Sequence, residues 1–305
     1  MSFEEMMKAF LDYLRGLRRV QATLANYSVL TRDFTRYCRE VQGCATPGEV
    51  EGRFLGSYVA ELQERGLSRQ TIYARHRGVR TWFAWAHLRG FLLTDPLKNV
   101  HLPCPPLLPR GAPTEEQVAL FLNAPGPALW GQRDRCLLEF LYCTGLRVGE
   151  CVALNVSDVD LEQCLLRVHN RKTSKDRFVP FGERVQQLLS DYIHQIRPNF
   201  VPRTGQEQAL WLGRRGQRCR TLDIQRGMRF YSLQLGLSIT PHDLRHAYAT
   251  HLMLRGASVV AVQALLGHER LSTTQRYTHL LPTDLKKEML ATHPRGIRKK
   301  PRKQK

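Results

Sequence analysis

The first hundred residues carry apolar side chains at the spacing of a helix. Within residues 3–15 the apolar positions recur every three or four residues, which places them on one helical face. Similar stripes occur in three further segments, residues 22–41, 48–65 and 68–88. Ser68 is a typical N-cap for the last of these helices. The pattern therefore predicts an all-helical domain over residues 1–100.

A proline-rich segment follows this domain. Residues 101–113 contain five prolines, which interrupt helices and are excluded from central strands. A segment of this composition is extended and fairly stiff. We interpret it as a linker between two domains, which suits a chain of 305 residues at roughly 100–200 residues per domain.

The second domain combines further helices with one short region of alternating residues. Thr114 and Gln117 form a capping-box pattern ahead of an apolar helix. Apolar and polar residues alternate in 164–169 and 177–181 around a polar turn, which predicts a β-hairpin with a basic tip. Helical spacing also occurs in residues 132–144, 148–154, 182–196, 222–235, 241–254, 258–266, 271–281 and 283–291. We therefore predict a mainly α protein, whose second domain at 114–294 is mostly helical with a small antiparallel sheet.

Composition narrows the class of protein. Hydrophobic residues make up 42% of the chain, which is enough to bury two cores and too much for a mainly disordered protein. No stretch approaches 18 consecutive apolar residues, so we expect no membrane span. Glu4 and Glu5 stand where a secretory signal would be basic. These features predict a cytoplasmic protein.

The cysteines and histidines give no sign of a metal or a disulfide framework. The chain has eight cysteines without a Cys-x-x-Cys pair, and Cys136, Cys143 and Cys151 lie among apolar residues, so we predict buried thiols. His242 and His246 have the i, i+4 spacing of a ligand pair but lack a third ligand nearby. Phosphate-binding loops of the Walker or Gly-x-Gly-x-x-Gly type are also missing from the sequence. We therefore expect neither a cofactor nor a metal.

A net charge of +19 points to a polyanionic partner, with nucleic acid the first candidate. Residues 295–305 hold seven basic and no acidic side chains, which is typical of a flexible nucleic-acid-binding tail. Basic candidates for DNA contacts also lie in the helix at 68–88 and on the hairpin: Arg69, Arg75, Arg77, Arg80 and Lys175. The same residues could equally form an ordinary solvated surface.

Cleavage or rejoining of a phosphodiester requires a nucleophile, stabilisation of the charged phosphate oxygens and a proton donor for the leaving oxygen. Four short segments of the second domain supply such groups. Their candidate residues are Arg147 after Gly145, the pair His242 and Arg245, His268 after Gly267, and Tyr277 in a polar stretch.

Each of these residues also has an ordinary structural explanation. Arg147 could pair with Glu150, a histidine after a helix-ending glycine could be part of the cap, and a hairpin lysine usually adds solubility. The functional interpretation depends on the whole set occurring in one order within matching flanks.

In that order and spacing the chain resembles the tyrosine recombinases, the phage integrase family. The stretch Leu-Leu-Gly-His-Glu-Arg-Leu-Ser-Thr-Thr-Gln-Arg-Tyr-Thr-His and the later His-Pro-Arg at 293–295 are similar to Xer-type members. The hairpin sequence beginning at Lys172 matches the family's lysine-bearing turn and favours Lys172 over Lys175. The resemblance implies a helical core-binding (SAM-like) domain and a catalytic domain that form a C-shaped clamp around duplex DNA.

The resemblance also implies a mechanism. Tyr277 would form a 3′-phosphotyrosyl link, Arg147, Arg245 and His268 would hold the phosphate, His242 would take the tyrosine proton, and Lys172 would protonate the leaving 5′-oxygen. The partner would be double-stranded DNA with paired half-sites, bound by a homotetramer or by a heterotetramer with a second recombinase, without metal or ATP. When bound to DNA the protein would be associated with the nucleoid.

Two other functions share part of these features. A type IB topoisomerase uses the same chemistry, and an architectural protein could bridge DNA sites without cutting them. The separate small helical domain argues against the first and the complete set of six residues against the second. Dimer resolution in chromosomes or plasmids, phage integration and transposon movement all agree with the sequence.

Overall fold

The computed structural model describes most of the chain. The described residues are 1–19, 21–105, 111–169, 176–200, 208–213, 215–267 and 282–296. The chain divides into two compact units, Met1–Pro109 and Arg110–Lys305. Each unit has its own hydrophobic core.

The described part of the first unit is helical, as its apolar spacing predicts. Its helices are α1 (Phe3–Gly16), α2 (Gln21–Glu40), α3 (Gly52–Glu64) and α4 (Arg69–Leu88). Side chains fix where two of them begin, since an N-cap hydroxyl accepts a hydrogen bond from an otherwise unpaired backbone N–H. Ser2 and Glu5 form a capping box at α1, and the N–H of Thr71 donates to Ser68 Oγ at α4 over 3.2 Å.

Aromatic side chains fill the core of the first unit. Trp82, Phe83 and Trp85 on the second half of α4 are buried, as expected from its sequence. Phe34 of α2 meets Tyr58 of α3 edge to face, with ring centroids 5.1 Å apart. Such pairs add packing energy beyond the area they bury.

The described part of the second unit, from residue 111 to 296 with gaps, is mostly helical. Its helices are α5 (Glu115–Asn123), α6 (Leu129–Thr144), α7 (Val148–Ala153), α8 (Glu183–Asp191), α9 (Thr221–Gln234), α10 (Pro241–Leu254), α11 (Val259–Leu266) and α12 (Pro282–Thr292). The predicted capping box at α5 is confirmed, because the N–H of Gln117 donates to Thr114 Oγ1 over 3.2 Å and the N–H of Thr114 donates to Gln117 Oε1 over 3.0 Å.

A small antiparallel sheet accompanies these helices. Its strands are β1 (Val159–Asp160), β2 (Leu165–His169) and β3 (Asp176–Pro180), in the order β1-β2-β3. Leu166 pairs with Val179 and His169 pairs with Asp176, which confirms the predicted pairing of the two longer strands. The two residues of β1 are too few for an alternating pattern to reveal them.

The predicted continuous helix over 182–196 is wrong in its second half. The α-helix ends at Asp191, and Tyr192–Ile196 form a π-helical turn. Tyr192 is fully buried, stacks on Trp211 at 4.9 Å and donates its hydroxyl to the carbonyl of Leu210 over 3.0 Å. These contacts come from distant residues, so local spacing could not predict the change of helix type.

Helix α10 runs through the part of this unit that matters for the site. It packs against α5, α6, α11 and α12. Beyond α12, Arg295, the first residue of the basic tail, lies 3.8 Å from the buried carboxylate of Glu139. Among the described residues, no helix combines the length and the apolar character needed to cross a bilayer.

All eight cysteines are free thiols, and all but Cys104 are buried. The predicted burial of Cys136, Cys143 and Cys151 is confirmed. Burial raises the pKa of each of these three thiols well above its usual range. They are therefore packing groups and not nucleophiles at neutral pH.

Candidate active site

The end of helix α6 directs the backbone toward Arg147, the first residue of the candidate site. Gly145 caps this helix with φ +59°, a left-handed conformation that suits glycine. A Cβ at this position would lie 2.5 Å from Cδ1 of Tyr248, so the close packing against α10 also requires glycine. Arg147 follows two residues later as the N-cap of α7.

Glu150 holds Arg147 at the start of α7. Its carboxylate accepts the backbone N–H of Arg147 over 2.9 Å and the side-chain Nη1 over 3.2 Å. The Arg147 side chain is still 52% exposed. Both interpretations of the sequence are therefore compatible with the structure: Arg147 pairs with Glu150, and it still presents a guanidinium to solvent.

Arg245 lies one turn into α10, whose start is fixed by Pro241 and by a capping box between Thr240 and Asp243. The side chain is almost fully buried, with 7% of the residue exposed. Its Nη1 donates to the carbonyl of Gly145 over 2.5 Å, and its Nη2 donates to the carbonyl of Leu266 over 2.8 Å. One guanidinium thus joins the C-terminal ends of α6 and α11.

The charge of Arg245 is buried and lies close to the like charge of Arg147. Burial, followed by the like charge of nearby Arg147, lowers the pKa of Arg245 to about 10. The group remains protonated at neutral pH, and the carbonyl ends of two helices partly offset its charge. A phosphate oxygen placed near both arginines would relieve their mutual repulsion and receive charge-assisted hydrogen bonds.

His242 lies in the first turn of α10 and is exposed. It is three residues before Arg245 and so occupies the same side of the helix. His246 is also exposed. Within the described ranges, no three His, Cys, Asp or Glu side chains are grouped as a metal site would require.

Four predicted site residues lie outside the described residues: Lys172, Lys175, His268 and Tyr277. Their neighbours in the sequence are described. Strand β2 ends at His169 and β3 begins at Asp176, on either side of the lysines. Helix α11 ends at Leu266 directly before Gly267, which has φ +63° as the predicted helix-ending glycine.

The structure separates the four arginines of α4 into two pairs. Arg69 and Arg77 are exposed. Arg75 forms an ion pair with Asp33 of α2. Arg80 donates from Nε to the carbonyl of Leu97 over 3.2 Å and from Nη2 to that of Lys98 over 2.9 Å.

Arg177 is part of the candidate site, although the sequence analysis did not single it out. It donates both terminal nitrogens to the carboxylate of Glu150, over 3.0 and 2.9 Å. The sequence did contain a signal for this role. Side chains two residues apart point to the same face of a strand, so Arg177 shares the inner face with buried Val179, whereas Phe178 points to the outer face. A charged residue on the inner face of a strand predicts a buried partner.

Comparison with known proteins defines the class of this chain. Residues 113–283 match the phage integrase family. The tyrosine recombinase XerC of Chlamydia caviae is 34% identical and is aligned over 94% of this chain and 97% of that protein. XerC of Bacillus subtilis is 32% identical, over 97% of this chain and 98% of that protein.

Two solved structures share the fold. The Tn1549 transposon integrase, in complex with circular intermediate DNA, gives a TM-score of 0.71 at 21% identity, covering 95% of this chain and 99% of that one. A lambda integrase tetramer bound to a Holliday junction gives a TM-score of 0.71 at 17% identity, covering 90% of this chain and 79% of that one.

The chain therefore belongs to the phage integrase family of tyrosine recombinases, as its motifs predict. It is a site-specific recombinase of the Xer type, an enzyme that cuts and rejoins DNA.

Proposed function

We propose that this recombinase cuts each DNA strand through a covalent link to Tyr277. The observation that carries the proposal is the proximity of two arginines. Arg245 donates to the carbonyl of Gly145, two residues before Arg147, and after burial the charge of Arg147 is the next cause that lowers the pKa of Arg245. Family membership and the order of the six residues along the sequence support the assignment.

The chemistry is a transesterification that conserves bond energy. The Tyr277 oxygen attacks phosphorus, an O–P bond to tyrosine forms, and the bond from phosphorus to the 5′-oxygen breaks. A free phenol has a pKa of about 10, so His242 takes its proton, and Lys172 gives a proton to the departing 5′-oxygen. Rejoining reverses these steps on a new 5′-hydroxyl, with no need for ATP or a metal.

Arg147, Arg245 and His268 would stabilise the non-bridging oxygens during this attack. Arginine suits the role because its fork of fixed donors matches phosphate geometry. Donors that are already fixed in place stabilise the transition state without a cost of reorganisation. The two carbonyl bonds of Arg245 supply that preorganisation.

The proposed partner is double-stranded DNA with paired half-sites. Arg69 and Arg77 of α4 and Lys175 would contact DNA, whereas Arg75 and Arg80 use their donors within the first unit. The lambda integrase tetramer on a Holliday junction supports a tetramer here, formed by this chain alone or with a second recombinase. Such a protein would act in the cytoplasm, on the nucleoid.

The test begins with duplexes that the protein selects from a random library, each nicked near the cleavage point so that rejoining is blocked. We expect a denaturant-resistant adduct and a released strand with a 5′-hydroxyl. Trypsin cuts after Arg276 and Lys286, so the DNA-bearing peptide should contain Tyr277 as its only tyrosine.

Three outcomes of this test contradict the proposal. No adduct would indicate a protein that bridges DNA without cutting. DNA attached to another residue would reject Tyr277. Relaxation of any supercoiled plasmid, irrespective of sequence, would indicate a topoisomerase-like activity.

The basic tail should contribute non-specific affinity and no chemistry. Residues 297–305 include six Lys or Arg, and each neutralised phosphate adds about 0.9 to the slope of log affinity against log salt. A chain ending at Gly296 should therefore show a slope shallower by about 1 to 5 but cleave selected DNA at the wild-type rate. Full-length protein with glutamine at the six positions is the control and should behave like the truncated chain. A loss of cleavage in either variant would contradict this division of roles.

A further inference from the structure

Strand β3 points an arginine inward and a phenylalanine outward. The Arg177 side chain is 18% exposed, whereas Phe178 is 50% exposed. Taking a guanidinium out of water costs free energy unless its donors are paired. An arginine on the inner face of a strand therefore requires a hydrogen-bonding partner. The partner is Glu150, which belongs to α7 and not to the sheet.

Glu150 is shared between two arginines. Oε1 accepts from Arg177 Nη1 at 3.0 Å and from Arg147 Nη1 at 3.2 Å. Oε2 accepts from Arg177 Nη2 at 2.9 Å and from the backbone N–H of Arg147 at 2.9 Å. Because the acid spans both, its position is set on one side by the sheet and on the other by the start of α7.

Arg177 also touches the end of α11. A Cβ built on Gly267 would lie 2.7 Å from Arg177 Nε and 2.9 Å from its Cζ, so the guanidinium packs directly on this glycine. The preceding carbonyl, that of Leu266, accepts from Arg245. Arg177 therefore lies where β3, α7 and the end of α11 meet. Of the two proposed phosphate-binding arginines, Arg147 stands at the start of α7 and Arg245 donates to the end of α11.

The charges explain what this placement achieves. Burial on its own would raise the pKa of Glu150, but hydrogen bonds and charge from Arg177, together with Arg147, leave that pKa below its usual range. An ionised acid beside Arg147 alone would bind its guanidinium and repel DNA phosphate. With Arg177 present the acid is neutralised from the inner side, and the Arg147 charge remains available to an anion.

We infer that Arg177 is a positioning residue for DNA cleavage: it holds and neutralises Glu150 so that Arg147 presents its guanidinium to the scissile phosphate. Arg177 itself does not touch the phosphate. The inference rests on the proposed role of Arg147.

The first measurement compares single-turnover cleavage and DNA affinity in full-length variants. Arg177→Met keeps the bulk of the side chain but removes its charge, and should lower the cleavage rate by about 30-fold with DNA affinity changed less than about threefold. Arg177→Lys keeps the charge but lacks the planar fork of donors. Its cleavage rate should therefore lie between those of wild type and Arg177→Met. Arg167→Met is the matched control, since Arg167 lies on β2 with half its side chain exposed and should cleave normally.

A second mutation separates positioning from simple loss of structure. Glu150→Gln keeps an acceptor for the Arg147 N–H but removes the negative charge. Added to Arg177→Met, it should restore the cleavage rate to within about fivefold of wild type, because the unneutralised acid is gone. A structural role would instead make the double variant slower than either single one.

The third measurement is independent of Tyr277. Binding is compared on duplexes with either a phosphate or an uncharged methylphosphonate at the cleavage position. Wild type should prefer the phosphate, and Arg177→Met should lose most of that preference. Unchanged cleavage and unchanged preference in Arg177→Met would overturn the inference, whereas a wild type that prefers phosphate without forming an adduct would contradict only the role of Tyr277.

Discussion

Replacing Arg245 by lysine is expected to lower the single-turnover rate of DNA cleavage by on the order of 10³-fold. One ammonium group cannot reach the carbonyls of Gly145 and Leu266 and a phosphate oxygen in the geometry of the arginine fork. The charge is retained, so DNA affinity should change by less than about threefold. Adduct formation on a nicked duplex and fluorescence anisotropy measure the two quantities.

Arg255 provides the control for this experiment. It follows α10 directly and also makes two hydrogen bonds, to Glu115 over 2.8 and 2.6 Å, but its side chain is 45% exposed. Arg255→Lys should cleave DNA like wild type. The proposal that the Arg245 guanidinium is held in place for the phosphate would be rejected by either of two results. One is an equal loss of cleavage rate in the two variants, and the other is cleavage by Arg245→Lys near the wild-type rate.

Gly145→Ala is expected to lower the free energy of unfolding markedly, for two reasons. The left-handed backbone costs about 1 kcal/mol for a residue with a Cβ. The new methyl would also lie 2.5 and 2.8 Å from the ring of Tyr248, which adds about 1–3 kcal/mol of overpacking. The shift in the urea unfolding transition of the full-length protein measures the sum.

Gly236→Ala isolates the backbone part of that cost. Gly236 follows α9 with φ +62°, and a Cβ there would meet nothing within 4 Å. It should therefore lower the free energy of unfolding by only about 1 kcal/mol. If the two variants are equally destabilised, the contact between the end of α6 and α10 is looser than the structure indicates.

Local sequence features were sufficient to predict much of the fold. The helix starts at Ser68 and Thr114 depend on a hydrogen bond within four residues, and the pairing of β2 with β3 follows from alternation around one turn. The π-helical turn at Tyr192–Ile196 was not predictable, because its cause is a buried contact with Trp211 and Leu210.

The candidate site likewise combines residues that local motifs predict with contacts that only the completed fold creates. Motif spacing singles out Arg147, His242 and Arg245 as candidates, and the structure places each of them beside a helix end that the sequence marks with glycine or proline. The carbonyl partners of Arg245 lie 100 and 21 residues away, and Arg177 is 27 residues from Glu150. Hydrogen bonds across such separations depend on the completed fold and leave little trace in local pattern.

The exposed thiol in the proline-rich segment makes the native protein suitable for single-site labelling. Cys104 is exposed, while burial raises the pKa of thiols in both units, as at Cys38 and Cys219. A maleimide dye should react with Cys104 first, because the thiolate is the reactive form and access limits the other positions. A fluorophore at that position would lie close to the boundary between the two units, and it could be attached without any engineered cysteine.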